Sequence, residues 1–445
     1  MIFLLRSRAV IDATSQQEVF EMEIQRDYYL KQIIDFMWDG QIKVITGIRR
    51  CGKSYMLMKL FKNYLLEHGV QEEEIIIIEL DKISSLEYRN PIKLVNYVKL
   101  YIENKTQKFY LFIDEIQMSD SIKNPYDQNG ACITFYDALN DLKGIANLDI
   151  YVTGSNSKML SKDVLTQFRG RSDEIRMHPL CFAEYYSAVT MDKQQAYDEF
   201  ALYGGMPLIL SRQNDKSKMD YLTNLFEEVY LKDIVERKKI DYPEILSQIV
   251  DLLCSSIGSL TNYNKLANAL KSKTKATISA NTVSTYLNHL EDAFLFAKAK
   301  RYDVKGKAYF DFPEKYYLED VGLRNARLGF RQQEETHIME NIIFNELIVR
   351  GYSVDIGVVN KYSDGKKITK EIDFIATSGG KRVYIQSAFA LPDEEKREAE
   401  LESLRLTKDS FPKVIIRQDI RKRWYDDEGV LHINLIDFLL DKNAI

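Results

Sequence analysis

The chain has 445 residues, 45% of them hydrophobic and 29% charged, with a formal net charge of -5 and a pI near 5.8. That length holds two to four domains, each able to bury its own core, and the acidic balance excludes a protein that binds polyanions over its whole surface. Gly and Pro, at 20 and 8 residues, stand at about half of average usage, which excludes long disordered linkers and predicts helix-rich, tightly connected domains.

Residues 1–24 come first. Met1 to Leu5 is apolar, but Arg6 and Arg8 follow at once, so the run falls short of the ~7–15 apolar residues of a secretory signal. The segment reads as a short accessory leader or an over-long gene start. The longest apolar runs further on, such as Ile75 to Ile78 and Tyr110 to Ile113, are far below the ~20 residues that span a bilayer. Cys51, Cys132, Cys181 and Cys254 form no C-x-x-C pair, which removes a zinc ribbon and a disulfide framework from consideration. A reduced, cytoplasmic location is expected.

Residues 25–181 carry the chemistry. Ile42 to Thr46 reads as a buried strand, and Gly47-Ile48-Arg49-Arg50-Cys51-Gly52-Lys53-Ser54 follows directly. This is G-x-x-x-x-G-K-S, a phosphate-binding loop. Tyr55 to His68 then reads as a helix with Met56, Leu57, Leu60, Phe61, Tyr64 and Leu65 inward. The strand–loop–helix context gives the motif its meaning. Gly47 and Gly52 let the backbone curl so that N–H groups point at phosphate oxygens, and the helix N-terminus adds positive potential. Residues Gly47 through Tyr55 are thus the expected nucleotide contacts. Lys53 carries a point charge for the β- and γ-phosphates, and Ser54 is a Mg²⁺ ligand.

Phe109 to Ile113 is an aromatic and aliphatic strand ending in Asp114-Glu115. Asp114 is expected to hold the Mg²⁺ shell and Glu115 to polarise the attacking water. The second acid favours a hydrolysing ATPase over a GTPase-like switch. No N-K-x-D guanine motif appears, so ATP is the expected nucleotide. A third strand, Leu148 to Gly154, ends in Ser155 and Asn156, which can sit between the two motifs and touch the γ-phosphate or the water. Arg169 and Arg171, ahead of a strand over Asp173 to His178, are candidate phosphate sensors or fingers, in cis or from a neighbouring copy.

Four stretches carry a resemblance: Gly-Ile-Arg-Arg-Cys-Gly-Lys-Ser, Phe-Ile-Asp-Glu-Ile-Gln, Val-Thr-Gly-Ser-Asn-Ser-Lys and Phe-Arg-Gly-Arg-Ser-Asp-Glu-Ile. Together they resemble the prokaryotic AAA-type ATP-binding proteins with a C-terminal domain of unknown function. The likeness continues through Tyr203-Gly204-Gly205-Met206-Pro207, Tyr230-Leu231-Lys232-Asp233-Ile234 and Lys315-Tyr316-Tyr317-Leu318-Glu319-Asp320. The resemblance implies an α/β protein with an additional-strand catalytic-glutamate ATPase core, a helical lid, a winged-helix segment and a nuclease-like fold.

Residues 182–245 read as helices over Phe182 to Ala188, Gln194 to Tyr203 and Asp220 to Lys238, broken by Gly204-Gly205-Met206-Pro207. A lid over the nucleotide is the expected role. Residues 246–312 predict three helices, Ile245 to Gly258, Asn262 to Ser272 and Ser279 to Asp292, then a hairpin of Phe294 to Arg301 and Lys307 to Phe312. That spacing fits a winged helix-turn-helix. The third helix turns Asn281, Thr282, Ser284, Thr285 and Asn288 outward but has no Arg or Lys in its core. Lys271, Lys273, Lys275, Lys298, Lys300, Arg301, Lys305 and Lys307 lie nearby and form the better phosphate-binding argument. Packing or protein contact is the competing use of the same segment.

Residues 313–445 form an α/β segment whose order resembles the restriction-endonuclease-like fold, where a helix acid, a strand Asp and a Glu-x-Lys build a Mg²⁺ site. Glu340 and Asp373 match that pattern. The Glu-x-Lys position reads Gln386-Ser387-Ala388, so metal-dependent cleavage is not expected unless another lysine, such as Lys381, substitutes. The whole reads as a Mg²⁺-dependent ATPase whose nucleotide state controls a DNA-associated module. The alternatives are a switch that binds a protein partner without DNA, and an ATP-regulated nuclease. An oligomer is compatible with either.

Overall fold

The structure is a computed structural model that describes residues 24–445 except 126, 128–129, 156–171, 275–277, 332–333 and 364. Five strands build the first sheet: β1 (Ile42–Thr46), β2 (Ile75–Glu79), β3 (Phe109–Asp114), β4 (Leu148–Gly154) and β5 (Ser172–Arg176). They run parallel in the order β2-β3-β4-β1-β5. Strands buried on both faces need continuous apolar runs; Ile75 to Ile78 and Phe109 to Ile113 supply them, and β1 breaks its run only at Lys43, which is buried on Asp149 at 2.6 Å. The order sets β4 between β1 and β3. Sequence alone placed the third strand's end between the two nucleotide motifs, and the sheet does the same.

Helix α1 (Asp27–Asp35) precedes β1. After the phosphate loop, α2 runs through Lys53–Tyr55, a π-type segment Met56–Phe61 and Lys62–Glu67. Its inward face is the expected one, except that Tyr64 is only half-buried. Helices α3 (Pro91–Ile102) and α4 (Phe135–Leu142) pack on the other face of the sheet.

Next come α5 (Phe182–Ser187), α6 (Lys193–Tyr203) and the long α7, built from Asp215–Asn224, a π-type segment Leu225–Leu231 and Lys232–Lys238. Helices α8 (Pro243–Ser255), α9 (Tyr263–Thr274) and α10 (Ala280–Asp292) follow within a turn of their expected bounds. Strands β6 (Phe296–Asp303) and β7 (Ala308–Leu318) then form a hairpin.

This hairpin corrects one expectation. The boundary read between residues 312 and 313 falls inside β7, which continues to Leu318. The hairpin is also not free-standing. It forms one edge of a mixed eight-stranded sheet with β8 (Ser353–Ser363), β9 (Lys366–Ser378), β10 (Lys381–Ala388), β11 (Lys413–Arg417), β12 (Trp424–Tyr425) and β13 (Leu431–Asn434). The order is β12-β13-β11-β10-β9-β8-β6-β7. Strand β6 lies parallel to β8, with Arg301 opposite Ile356 and Asp303 opposite Val358. The backbone groups of β6 must find partners, and no local sequence signal says whether a wing finds them in a distant strand.

Helices α11 (Val321–Arg327), α12 (Glu335–Val349), α13 (Glu394–Arg405) and α14 (Leu435–Leu440) complete the chain. A single apolar cluster runs from Tyr29 and Phe61 on the first sheet, through α5–α11, to Phe374 and Ile433 on the second. The two sheets are therefore joined by a shared core.

Candidate nucleotide-hydrolysing site

Strand β1 delivers Thr46 to the edge of the sheet, and the loop Gly47–Gly52 turns there into α2. Two glycines are required. Gly47 has φ +142, and a Cβ at this position would press into the Met177 carbonyl; Gly52 has φ +105. Ile48 and Cys51 are fully buried, so their side chains anchor the loop from below and leave only backbone for a ligand. Lys53 is buried, and its ammonium donates to the carbonyls of Gly47 and Ile48, both at 3.1 Å. Tyr55 is half-buried one turn into the helix.

The two acids lie where the motif requires them. Ser54 Oγ donates to Asp114 Oδ1 at 2.9 Å. Thr153 Oγ1 at the end of β4 also donates to Asp114 Oδ1 and accepts the Glu115 N–H at 3.0 Å. Glu115 sits in the left-handed region, with φ 52, at the strand end. Its carboxylate accepts from Ser155 Oγ at 3.3 Å and from Gln117 Nε2, which also donates to Ser155 Oγ at 3.0 Å. Burial pushes the Glu115 carboxyl up, with Asp114 adding to the effect and Lys53 and Arg49 opposing it. A raised carboxyl is a better proton acceptor for water. Asn156, Arg169 and Arg171 lie outside the described residues.

The loop is also held from outside. Arg26, fully buried ahead of α1, donates to the carbonyls of Cys51 at 2.9 Å, His178 at 2.8 Å and Pro179 at 3.3 Å, and pairs with Glu184 at 3.1 Å. Tyr230 OH on α7 donates to the Arg49 carbonyl at 2.7 Å, and Arg49 pairs with Asp233 at 3.5 Å. Arg49 and Arg50 therefore enter the loop by backbone, while the Arg49 side chain reaches α7. Beyond β5, Met177 packs on Gly47, and its neighbours Arg176 and His178 both bind Glu319 at the end of β7, at 3.2 and 2.5 Å. Burial would raise the Glu319 carboxyl, but His178 and Arg176 hold it below its ordinary value. Asp320 accepts the Gly205 N–H at 2.6 Å and caps α11 through Leu323. Gly204, with φ +72, leaves no room for a Cβ beside the Asp320 carboxylate.

Sequence reasoning missed Arg26, Gln117 and the roles of Tyr230, Asp233 and Glu319. The last three lay within motifs already noted, where the contact to the loop is invisible. Arg26 is one arginine before an amphipathic helix and carries no sequence signal.

The expected second site on the C-terminal sheet is arranged differently from its pattern. Glu340 on α12 accepts from Lys315 Nζ at 3.0 Å and Tyr317 OH at 2.7 Å, and Lys315 also pairs with Glu371 at 2.8 Å. Asp373 Oδ2 accepts the Ser387 N–H at 2.8 Å, and burial together with Glu340 pushes its carboxyl up to about 8. Gln386 accepts the Asp373 N–H and donates to Glu400, both at 2.7 Å. An ammonium does stand beside these acids, that of Lys315 from β7 on Glu340 and Glu371, whereas Lys381 stands exposed at the far end of β10. Burial opposes the Lys315 charge, but Glu340, Asp373 and Glu371 outweigh it and raise its pKa. Among the described residues no three metal-ligating side chains gather here or elsewhere.

A parallel sheet with a phosphate loop after β1, a strand-end Asp-Glu after β3 and a polar strand between them defines an ATP-binding ATPase of the AAA type. Residues 39–186 match the AAA domain family, and residues 194–334 match a domain of unknown function, DUF8612. An uncharacterized protein of Haemophilus influenzae is 33% identical over 425 residues, which are 94% of this chain and 98% of that protein. The chain belongs to the same family of AAA-domain proteins. An uncharacterized protein of Methanocaldococcus jannaschii is 28% identical over 396 residues, 85% of this chain and 80% of its own. A Walker-type ATPase of Pyrococcus abyssi is similar over 69% of this chain and 96% of its own, at 14% identity and a TM-score of 0.47. No helix among the described residues is long and apolar enough to cross a membrane.

Proposed function

We propose that the chain hydrolyses ATP with Mg²⁺ and that its nucleotide state is passed to the segments after residue 181. The carrying observation is the continuous set of contacts from Gly47 through Met177, Arg176 and His178 to Glu319, supported by Tyr230 and Asp233 on Arg49. Every residue of the phosphate-binding set fits: Gly47 to Gly52 offer backbone N–H groups, and Lys53 and Ser54 follow on α2. Ser54 and Asp114 would hold Mg²⁺, which when bound neutralises charge on the phosphates. Glu115 takes the proton of the attacking water, and Gln117 and Ser155 hold its carboxylate in position. Asn156, Arg169 and Arg171 remain proposed phosphate contacts.

Lys53→Ala is expected to abolish tight ATP binding in calorimetry. Glu115→Gln should retain binding and lose on the order of 10²-fold in phosphate release. Unchanged turnover in Glu115→Gln would remove that residue from the role.

We read α8–α10 with β6–β7 as a winged helix and the second sheet as a nuclease-like shape that does not cleave, so the output is DNA association. The lysine-rich β6–β7 hairpin favours this over a protein partner alone. Mobility shifts with and without ATP over a salt series separate the two. Cleavage that disappears in Asp373→Ala but persists in Glu115→Gln would instead make the chain an ATP-regulated nuclease.

A further inference from the structure

The sequence is acidic overall, yet two adjacent hairpins are strongly basic. The β6–β7 hairpin carries Lys300 and Arg301 at the end of β6 and Lys305 and Lys307 in its turn, with Asp303, and the β8–β9 hairpin carries Lys361, Lys366, Lys367 and Lys370. The sheet sets them side by side, since β6 runs parallel to β8 and the Val304 N–H donates to the Val358 carbonyl at 3.1 Å.

The second hairpin also extends beyond its neighbours. Strand β6 stops pairing with β8 at Val358, and β10 stops pairing with β9 at Phe374. From Val359–Lys370 to Ser363–Lys366, five residue pairs form a two-stranded ribbon with no third strand paired to it among the described residues, about 17 Å long at ~3.4 Å per residue. Its base is braced on α13, where Glu402 takes both Lys361 and Lys370. Of the remaining six, Arg301 is half-buried and lies over the Phe310 ring, and Lys300 stands on the strand itself; Lys305, Lys307, Lys366 and Lys367, at or next to the turns, are exposed and form no ion pair with another described residue. Tyr362, 73% exposed, faces Lys367 across the ribbon, and Ile368, 42% exposed, lies on the opposite face. The protruding ribbon carries a charge complementary to phosphate.

We propose that this pair of hairpins is a binding surface for duplex DNA. The β8–β9 ribbon enters a groove, and the β6–β7 turn tracks the flanking phosphates. The major groove admits a two-stranded ribbon, and lysines on both faces of the ribbon lie within reach of both groove walls. This rests on the DNA-associated reading above but moves the contact off the third helix of the winged segment, which lacks cations.

The test is fluorescence anisotropy of the full chain with labelled duplex DNA and with a single strand, over a salt series. Changing Lys305, Lys307, Lys366 and Lys367 to Gln removes four phosphate contacts and should lower the log–log salt slope by about 3–4, with about 10²-fold weaker binding at low salt. Lys93→Gln on α3 with Lys193→Gln on α6, both outside the proposed binding segments, should leave both unchanged. All six residues are exposed, and unaltered melting curves verify folding. Duplex binding that the quadruple variant leaves intact overturns the hairpin surface while DNA association stands. No binding of wild-type protein to either DNA overturns both. A quadruple-sensitive preference for the single strand overturns insertion into a groove.

Discussion

Arg26 makes four contacts at the phosphate loop, and its removal tests whether the loop is held in place from outside. Cutting the guanidinium away leaves the carbonyls of Cys51, His178 and Pro179 and the carboxylate of Glu184 without their buried donor. A hydrogen bond to a charged group is worth ~1.5–3 kcal/mol, and such terms do not add within one network. Breaking a buried ion pair from one side costs ~3–5 kcal/mol, so Arg26→Ala is expected to lose about 4 kcal/mol, a large part of a typical ~5–15 kcal/mol stability. Arg26→Lys keeps the charge but not the planar fork, and can hold only one or two of the four partners. Its expected cost is about 2 kcal/mol by the same hydrogen-bond scale. If the Cys51 carbonyl is the partner released, the loop loses its register for phosphate, and a loss of about 1.4 kcal/mol there weakens ATP binding about tenfold. Thermal melting and calorimetric ATP titration of Arg26→Lys measure both quantities. A variant that melts and binds ATP like wild type refutes the clamp.

Two further outcomes follow from the geometry. The Asp373 carboxyl is raised to about 8 by burial and Glu340, so the folded state favours its protonated form. Its stabilising contribution is complete below the unfolded pKa of ~3.9 and is lost as pH rises through about 8. Asp373→Asn removes the titration and can still accept the Ser387 N–H, so its melting temperature relative to wild type should rise between pH 6 and 9; a constant difference contradicts this. Gly47→Ala places a methyl against the Met177 carbonyl at φ +142 and should abolish ATP binding while far-UV circular dichroism stays unchanged. Retained affinity would mean that the loop adjusts freely.

The ATPase half was legible in the sequence as motifs: Lys53, Ser54, Asp114 and Glu115 were read onto the strand ends and helix start where the structure has them. A phosphate loop is a local object: glycines, a lysine and a serine at fixed spacing between a buried strand and a helix can do little else, and the parallel sheet follows from the apolar runs that flank them. The same holds for Asp114 and Glu115, whose position at a strand end is a matter of chain order. What lay outside the sequence depends on long-range packing. Arg26 meets Cys51, Arg49 meets Asp233 and Glu319 meets His178 only once the segments are folded together, and no local pattern encodes partners so far apart in the chain. The β6–β7 hairpin looked self-contained because its own pairing is local; the outer side of β6 from Arg301 to Asp303 is paired by β8, some fifty residues on. Lys315 shows the same limit from the side of charge. Sequence pattern looked for an ammonium two residues from Gln386, whereas burial of Glu340 beside Glu371 and Asp373 called for one, and the fold supplies it from Lys315 on β7, a strand whose first residues the pattern assigned to the winged segment.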